Sequence, residues 1–168
     1  MAGIRKQTGR NAEDQFLDAT NLRLLAELQA DARLSLAELG RRVGLSSPAV
    51  AERLQRLEGE KVILGYHARL DPRKLGMTLS AVIRVRPAPR QLREVGEVAR
   101  QSPEVVDCRR ITGEDCYIII THVRDIEHLE KVIDRFAAYG QTTTSIVQSA
   151  PVSERGLALE ASPPERER

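Results

Sequence analysis

Two hydrophobic patterns divide the chain. Residues 17–60 repeat apolar side chains at helical spacing, whereas residues 77–149 alternate short β-rich runs with helical patterns. The patterns meet at residues 70–76, where an Asp-Pro pair and a glycine interrupt regular structure. We therefore predict five segments, in chain order a flexible arm over 1–15, a first domain over 16–62, a linking strand and hinge over 63–76, a second domain over 77–150 and a tail over 151–168.

The first region predicts three helices. Their apolar stripes are Leu17, Leu24, Leu25 and Leu28, then Leu36, Leu39 and Val43, then Val50, Leu54 and Leu57. Ser35 and Glu38 have the spacing of a capping box before the second helix, and Gly44 supplies a left-handed stop after it. Ser47 is the expected N-cap of the third helix, with Pro48 at its first position. Two short helices that are joined at Gly44 and pack on a preceding helix indicate a helix-turn-helix domain.

The third helix presents a polar face opposite its apolar stripe. A helix that enters the DNA major groove needs small side chains near its N-terminus and hydrogen-bonding side chains beyond them. The candidate DNA-reading residues are Ser46, Ser47, Pro48, Ala49, Glu52, Arg53, Gln55 and Arg56. Arg41 and Arg42, late in the second helix, are candidate phosphate ligands, which position a protein without reading sequence. The alternative is a solvated helix face, but the capped turn before it favours DNA binding.

The second region reads strand, helix, strand, strand, helix, strand. The strands are predicted over 79–85, 105–111, 116–123 and 142–148, and the helices carry apolar stripes from Leu92 to Ala99 and from Ile126 to Phe136. This βαββαβ order predicts a ferredoxin-like antiparallel sheet with both helices on one face. The fold class is therefore α+β, with a winged-helix-like helix-turn-helix domain first. The uncovered sheet face predicts dimerisation.

Composition and residue spacing argue against several classes of function. The chain has 168 residues and no apolar run longer than five, so we expect no membrane span and no secretory leader. A net charge of +2 does not decide between partners, but 3% aromatic residues and no Trp disfavour base-stacking on single strands. Two cysteines suit a reducing cytoplasm. No nucleophile–base pair, phosphate-binding glycine loop or metal-ligand spacing is found, so we expect no catalytic residues, metal or cofactor.

Several spaced motifs together resemble the Lrp/AsnC family of transcription factors. They are Leu17-Asp18-Ala19-Thr20, Ala30-Asp31-Ala32-Arg33, Leu45-Ser46, residues 53–58, residues 62–66, Leu70-Asp71-Pro72 with Leu75-Gly76, and Thr112-Gly113. The resemblance covers about residues 16–150. It implies a regulator that binds double-stranded DNA and senses a small effector, often an amino acid. It also implies that the linking strand pairs with a second copy, and that homodimers assemble to tetramers or octamers.

The resemblance also implies an effector site between C-terminal domains. Carried over by position, its residues are Thr112, Gly113, Glu114, Asp115, Cys116, Thr142, Thr143 and Thr144. Cys116 stands where the family's sensing turn usually has aspartate, and a thiol is a weak acceptor for an ammonium group. Three interpretations stay open: a different effector, substitution by Asp115, or a silent site. The third would make the protein an architectural DNA-binding protein that needs no effector.

Overall fold

The computed structural model describes residues 16–159, which form two compact units. The first unit contains residues 16–68 together with 154–159, and the second contains residues 69–153. The predicted arm over 1–15 and the end of the predicted tail, 160–168, lie outside the described residues. In the first unit the amide side chain of Gln29 exchanges two hydrogen bonds with the backbone of Leu157, at 2.6 and 3.1 Å.

The first unit is a bundle of three helices, α1 (Ala19–Ala30), α2 (Leu36–Val43) and α3 (Ser47–Gly59). Its buried core consists of Leu24, Leu39, Val43, Val50, Leu54 and Leu57, which confirms most of the three predicted stripes. Two predicted members are wrong. Leu17 precedes the N-cap Asp18, and Leu36 occupies the first helical position, so both side chains lie near helix ends and stay more than 40% exposed.

The helix caps are partly as predicted. The Ser35 hydroxyl accepts a hydrogen bond from the Glu38 backbone N–H at 3.2 Å, and Gly44 is left-handed with φ 78°. The N-cap of α3, however, is Ser46, because its extended backbone places the hydroxyl to accept from the Ala49 N–H at 3.4 Å. The prediction of Ser47 as N-cap is therefore wrong by one residue, and proline takes the second helical position.

The segment after α3 is not a strand within one chain. Residues 64–70 have no regular structure, and a 3₁₀ turn follows at Arg73–Leu75. A strand needs a hydrogen-bonded neighbour, and the described sheet contains four other strands. Leu64 and Leu70 are 88% and 66% exposed. The pairing of this segment with a second copy therefore stays a prediction.

The second unit confirms the predicted βαββαβ order and the α+β class. Its elements are β1 (Leu79–Pro87), α4 (Leu92–Gln101), β2 (Val105–Arg110), β3 (Tyr117–Val123), α5 (Ile126–Ala137) and β4 (Gly140–Ile146). The strands form one antiparallel sheet in the order β2-β3-β1-β4. Compared with prediction, β4 begins and ends two residues earlier.

The two faces of this sheet differ. Alternate residues of β1 and β3 are buried together with side chains of α4 and α5, among them Ile83, Ile119, Val95 and Phe136. The intervening residues form the open face, where Val82 lies opposite Ile120. Val82 and Ile120 are half-buried, and Arg84 and Arg86 on the same face are exposed. This alternation of buried and less buried residues agrees with the prediction that both helices cover one face of the sheet and leave the other face uncovered.

Candidate functional site

The outward face of α3 has the composition predicted for reading a groove. Glu52, Gln55 and Arg56 are exposed, and the smaller Pro48 and Ala49 lie near the helix start, where Pro48 is exposed and Ala49 is half-buried. Ser46 is exposed and holds the cap, and Ser47 is half-buried. The Arg56 guanidinium lies 5.8 Å from the centroid of the Phe16 ring, so its charge stays at the surface beside an aromatic face.

Arg53 is engaged inside the unit. Its Nη1 donates to Oδ2 of Asp18 at 2.7 Å and to Oδ1 of Asn21 at 2.9 Å. Burial raises the pKa of the Asp18 carboxyl, but the hydrogen bonds from Arg53 and from backbone amides outweigh it, so this pKa is lowered overall. The sequence pattern had placed Arg53 among the DNA-reading candidates. The structure adds partners for it on α1, 32 and 35 residues earlier.

The two candidate phosphate ligands on α2 are paired with carboxylates. Arg41 Nη2 and Arg42 Nε lie 2.6 and 2.7 Å from Glu38 Oε1, and Arg42 Nη1 lies 2.6 Å from Glu27 Oε2. The hydrogen bonds from Arg41 and Arg42 lower the pKa of the Glu38 carboxyl to about 2. Glu38 is therefore ionised at neutral pH and occupies donors that a phosphate would need.

The predicted effector turn lies between β2 and β3. Thr112, Gly113 and Glu114 are exposed, whereas Asp115 and Cys116 are half-buried. Gly113 has φ 112°, a conformation that favours glycine. Backbone hydrogen bonds fix the end of the turn, since the Cys116 N–H donates to the Val85 carbonyl at 3.0 Å. The Cys116 side chain packs against the core of the unit.

Two arginines of β1 meet the carboxylates of this turn. Arg84 Nη1 lies 3.5 Å from Oδ2 of Asp115, and Arg86 is ion-paired with Glu114. Thr143 lies opposite Arg84 in the sheet, so its side chain shares the open face with that arginine. The open face therefore brings cations, carboxylates and a hydroxyl together. Sequence reasoning missed Arg84 and Arg86; their alternation in Arg-Val-Arg was the available signal.

The three predicted threonines divide between the two faces. Thr142 lies opposite Val85, and Thr144 lies opposite Ile83. The side chains of Val85 and Ile83 are buried under the helices. Since opposed residues of an antiparallel pair point to the same side, Thr142 and Thr144 belong to the helix-facing side. Thr143 alone among the three shares the open face with Arg84.

Gly40 is a further residue that the sequence pattern did not single out. Its carbonyl accepts hydrogen bonds from the N–H groups of Gly44 and Leu45, each at 2.8 Å. A Cβ at Gly40 would lie 2.3 Å from the Leu45 carbonyl oxygen. The turn between α2 and α3 therefore depends on this glycine. Its signal in the sequence was a second glycine four residues before the left-handed one.

The described part of the chain offers neither a metal cluster nor a membrane-spanning helix. Residues 16–159 contain no group of three or more His, Cys, Asp or Glu side chains able to hold a metal ion. Within the same residues no helix is both long and apolar enough to cross a membrane.

The fold defines a two-domain protein, in which a helix-turn-helix domain with an exposed, Ser46-capped third helix precedes a βαββαβ sheet domain. The family models for the AsnC-type helix-turn-helix domain and the Lrp/AsnC ligand binding domain match residues 17–58 and 80–157. The chain therefore belongs to the Lrp/AsnC family. Because this is a family of transcriptional regulators, the chain is a regulator and not an enzyme.

Individual relatives and solved structures support the same family. The HTH-type transcriptional regulator YezC of Bacillus subtilis is 37% identical over 134 residues, which are 80% of this chain and 95% of that protein. The structure of B. subtilis LrpC superposes with a TM-score of 0.77 at 31% identity, covering 82% of this chain and 98% of LrpC. The structure of the feast or famine regulatory protein of M. tuberculosis, complexed with L-methionine, superposes with a TM-score of 0.79 at 33% identity. The match covers 84% of this chain and 98% of that protein.

Proposed function

We propose that this regulator reads double-stranded DNA with the outward face of α3. The observation that carries the proposal is the exposed side of that helix, where small residues come first and Glu52, Gln55 and Arg56 follow. The Ser46 cap and the left-handed Gly44 hold this helix at a fixed angle to α2. We include Ser46, Ser47, Pro48 and Ala49 in the surface that approaches the groove, and Arg41 and Arg42 as phosphate ligands.

Arg56→Ala is expected to weaken specific DNA binding by about 1–3 kcal/mol, or roughly 5- to 150-fold. The reason is that Arg56 is exposed on α3 and lies beside the Phe16 ring, with no carboxylate paired to it among residues 16–159. The measurement is a fluorescence anisotropy titration with a duplex that the wild-type protein has selected from a random pool. Arg100→Ala, which removes an exposed helical arginine of the second unit, is the matched control. Equal affinities for wild type and Arg56→Ala would remove Arg56 from the interface.

Glu38→Gln is expected to tighten DNA binding. The substitution frees Arg41 from the half-buried Glu38 carboxylate and removes one of the two carboxylates paired with Arg42, whose ion pair with Glu27 remains. The slope of log affinity against log salt should steepen by roughly 0.9 for each additional phosphate that these arginines neutralise. Glu127→Gln makes the same charge change at an exposed Glu–Lys pair on α5 and should leave affinity unchanged. A fall in affinity at Glu38→Gln, with the helices intact, would count against phosphate binding by these arginines.

We propose further that an amino acid modulates DNA binding or assembly by binding at the β2–β3 turn. An α-amino acid carries a carboxylate and an ammonium group, and the open face offers Arg84 and Arg86 for the first and Glu114 and Asp115 for the second. Asp115 would then take over the role of the residue replaced by Cys116. The L-methionine complex of the M. tuberculosis relative supports this ligand class.

The remaining predicted turn and strand residues belong to the same proposal. Thr112 and Gly113 shape the turn, and Thr143 supplies a hydroxyl beside Arg84. Thr142 and Thr144 lie on the other side of β4, so we propose that they act on the site through the position of that strand. One observation favours the alternative of an architectural DNA-binding protein: the half-buried Cys116 side chain packs against the core.

We propose that the regulator works as a homodimer that assembles to a tetramer or octamer in the cytoplasm. The half-buried apolar centre of the open face, around Val82 and Ile120, and the exposed Leu64 and Leu70 are the surfaces that a second copy would cover. Residues 64–70 would form the predicted strand only when they pair with the same segment of that copy. Two free cysteines agree with a reducing compartment.

A further inference from the structure

We propose that Arg53 is a positioning residue that fixes α3 to the start of α1, and does not contact DNA itself. The inference rests on the proposed role of α3 in DNA binding. It concerns a cluster of three side chains, Asp18, Asn21 and Arg53, which connects the first helix of the unit to the last.

The hydrogen bonds of this cluster determine the orientation of each member. Asp18 caps α1, since its Oδ1 accepts from the Asn21 N–H at 2.7 Å, while its Oδ2 accepts from Arg53. Asn21 is 6% exposed, and its Nδ2 donates to the Phe16 carbonyl at 2.6 Å. That bond leaves the Asn21 Oδ1 as an acceptor, which Arg53 fills at 2.9 Å.

The position of Arg53 explains why this anchor matters for binding. Arg53 follows Glu52 directly and lies one helical turn before Arg56, so it holds the middle of the face that meets DNA. Base contacts depend on distances of about 3 Å, and a shift of the helix by a fraction of that distance weakens them. Loss of the anchor should therefore lower specific affinity. Asp18 and Asn21 carry no cationic group for a phosphate, so substituting either one would act on DNA binding only through the position of α3.

The competing interpretation is that Arg53 is a phosphate ligand that Asp18 neutralises in the free protein. The two interpretations give opposite signs for one substitution, Asp18→Asn. Removing a carboxylate near DNA tightens binding if Arg53 is a phosphate ligand, and weakens it if Arg53 is an anchor. Asparagine is as good an N-cap as aspartate, so this variant keeps the cap of α1 and changes only the ion pair.

The test measures affinity of the full chain for the selected duplex and for competitor DNA over a series of salt concentrations. We expect Asp18→Asn and Arg53→Ala each to lower specific affinity by roughly five- to tenfold, and the double variant to lose no more than either single one. The salt slope should stay at the wild-type value in all three. Glu38→Gln is the matched control, because it also removes an arginine-paired carboxylate of this unit and is expected to tighten binding.

Two results would overturn the positioning role. One is tighter binding by Asp18→Asn. The other is a salt slope for Arg53→Ala that is smaller in magnitude by about 0.9, the value expected when one phosphate ligand is removed. If Arg53→Ala fails to fold, as judged by circular dichroism, the sign measured for Asp18→Asn decides alone. Wild-type protein that prefers no duplex over competitor DNA would overturn the proposed function, and the positioning role with it.

Discussion

Gly40→Ala is expected to destabilise the three-helix unit strongly and to weaken DNA binding. A Cβ at this position would lie 2.3 Å from the Leu45 carbonyl oxygen, and that atom belongs to the backbone of the turn between α2 and α3. The turn cannot yield without breaking the hydrogen bonds from Gly44 and Leu45 to the Gly40 carbonyl. Overpacking of this kind costs about 3 kcal/mol, a large part of the stability of a small domain.

Thermal unfolding followed by circular dichroism, with DNA binding measured in parallel, checks this expectation. Gly59→Ala is the matched control, because a Cβ at Gly59 meets nothing within 4 Å and the residue is helical. That variant should be as stable as the wild type or more stable by up to about 1 kcal/mol, since alanine favours the helix. A Gly40→Ala protein with wild-type melting and DNA binding would show that the α2–α3 turn tolerates a side chain at this position.

Gly140→Ala is expected to disrupt the sheet of the second unit and remove the effector response. A Cβ at Gly140 would lie 2.3 Å from the Arg86 carbonyl oxygen and 2.7 Å from the Pro87 Cα. Both are backbone atoms of β1, so β4 must move away from β1 at this end. The movement would carry Thr143 away from Arg84 at the proposed effector site. We expect a loss of about 3 kcal/mol in the stability of this unit.

Denaturant unfolding, and calorimetric titration with an amino acid that changes DNA binding by the wild-type protein, test the second expectation. Gly140→Ala should lower the denaturant concentration at which the second unit unfolds and release no binding heat, whereas Gly59→Ala, which changes the first unit, should match the wild type in both. A Gly140→Ala protein that keeps wild-type stability would show that the start of β4 adjusts easily. A destabilised Gly140→Ala protein that binds the same amino acid with wild-type affinity would place the ligand away from β4.

The order of elements could be predicted because it depends on local signals. Helical and alternating periodicities, the Ser35 cap and Gly44 each act within one or two turns of chain, and they predicted the helix-turn-helix and the βαββαβ order. The N-cap of α3 was harder to place, because Ser46 and Ser47 are both good caps before a proline. The backbone dihedrals decided for Ser46. Residues 64–70 have strand-like composition but no partner strand among the described residues.

The candidate site could be predicted only where its contacts are local. The exposed face of α3 follows from helical spacing alone. The partners of Arg53 lie on another helix, and no pattern within α3 indicates them. No local pattern indicates the partners of Arg84 and Arg86 either, because their ion pairs with the β2–β3 turn depend on β1 lying beside β3 in the sheet. The pairing of Arg41 with Glu38 is local, at i and i+3, and could have been expected.

The most direct test of an effector-sensing DNA regulator is a titration of the upstream DNA of the protein's own gene. It is run in excess competitor DNA at two salt concentrations, with and without each amino acid. We expect a tight, competitor-resistant complex whose affinity or stoichiometry one amino acid or a few related ones change. Binding that modest salt abolishes, and that is indifferent to DNA sequence and to every amino acid, would contradict this function and favour the architectural alternative.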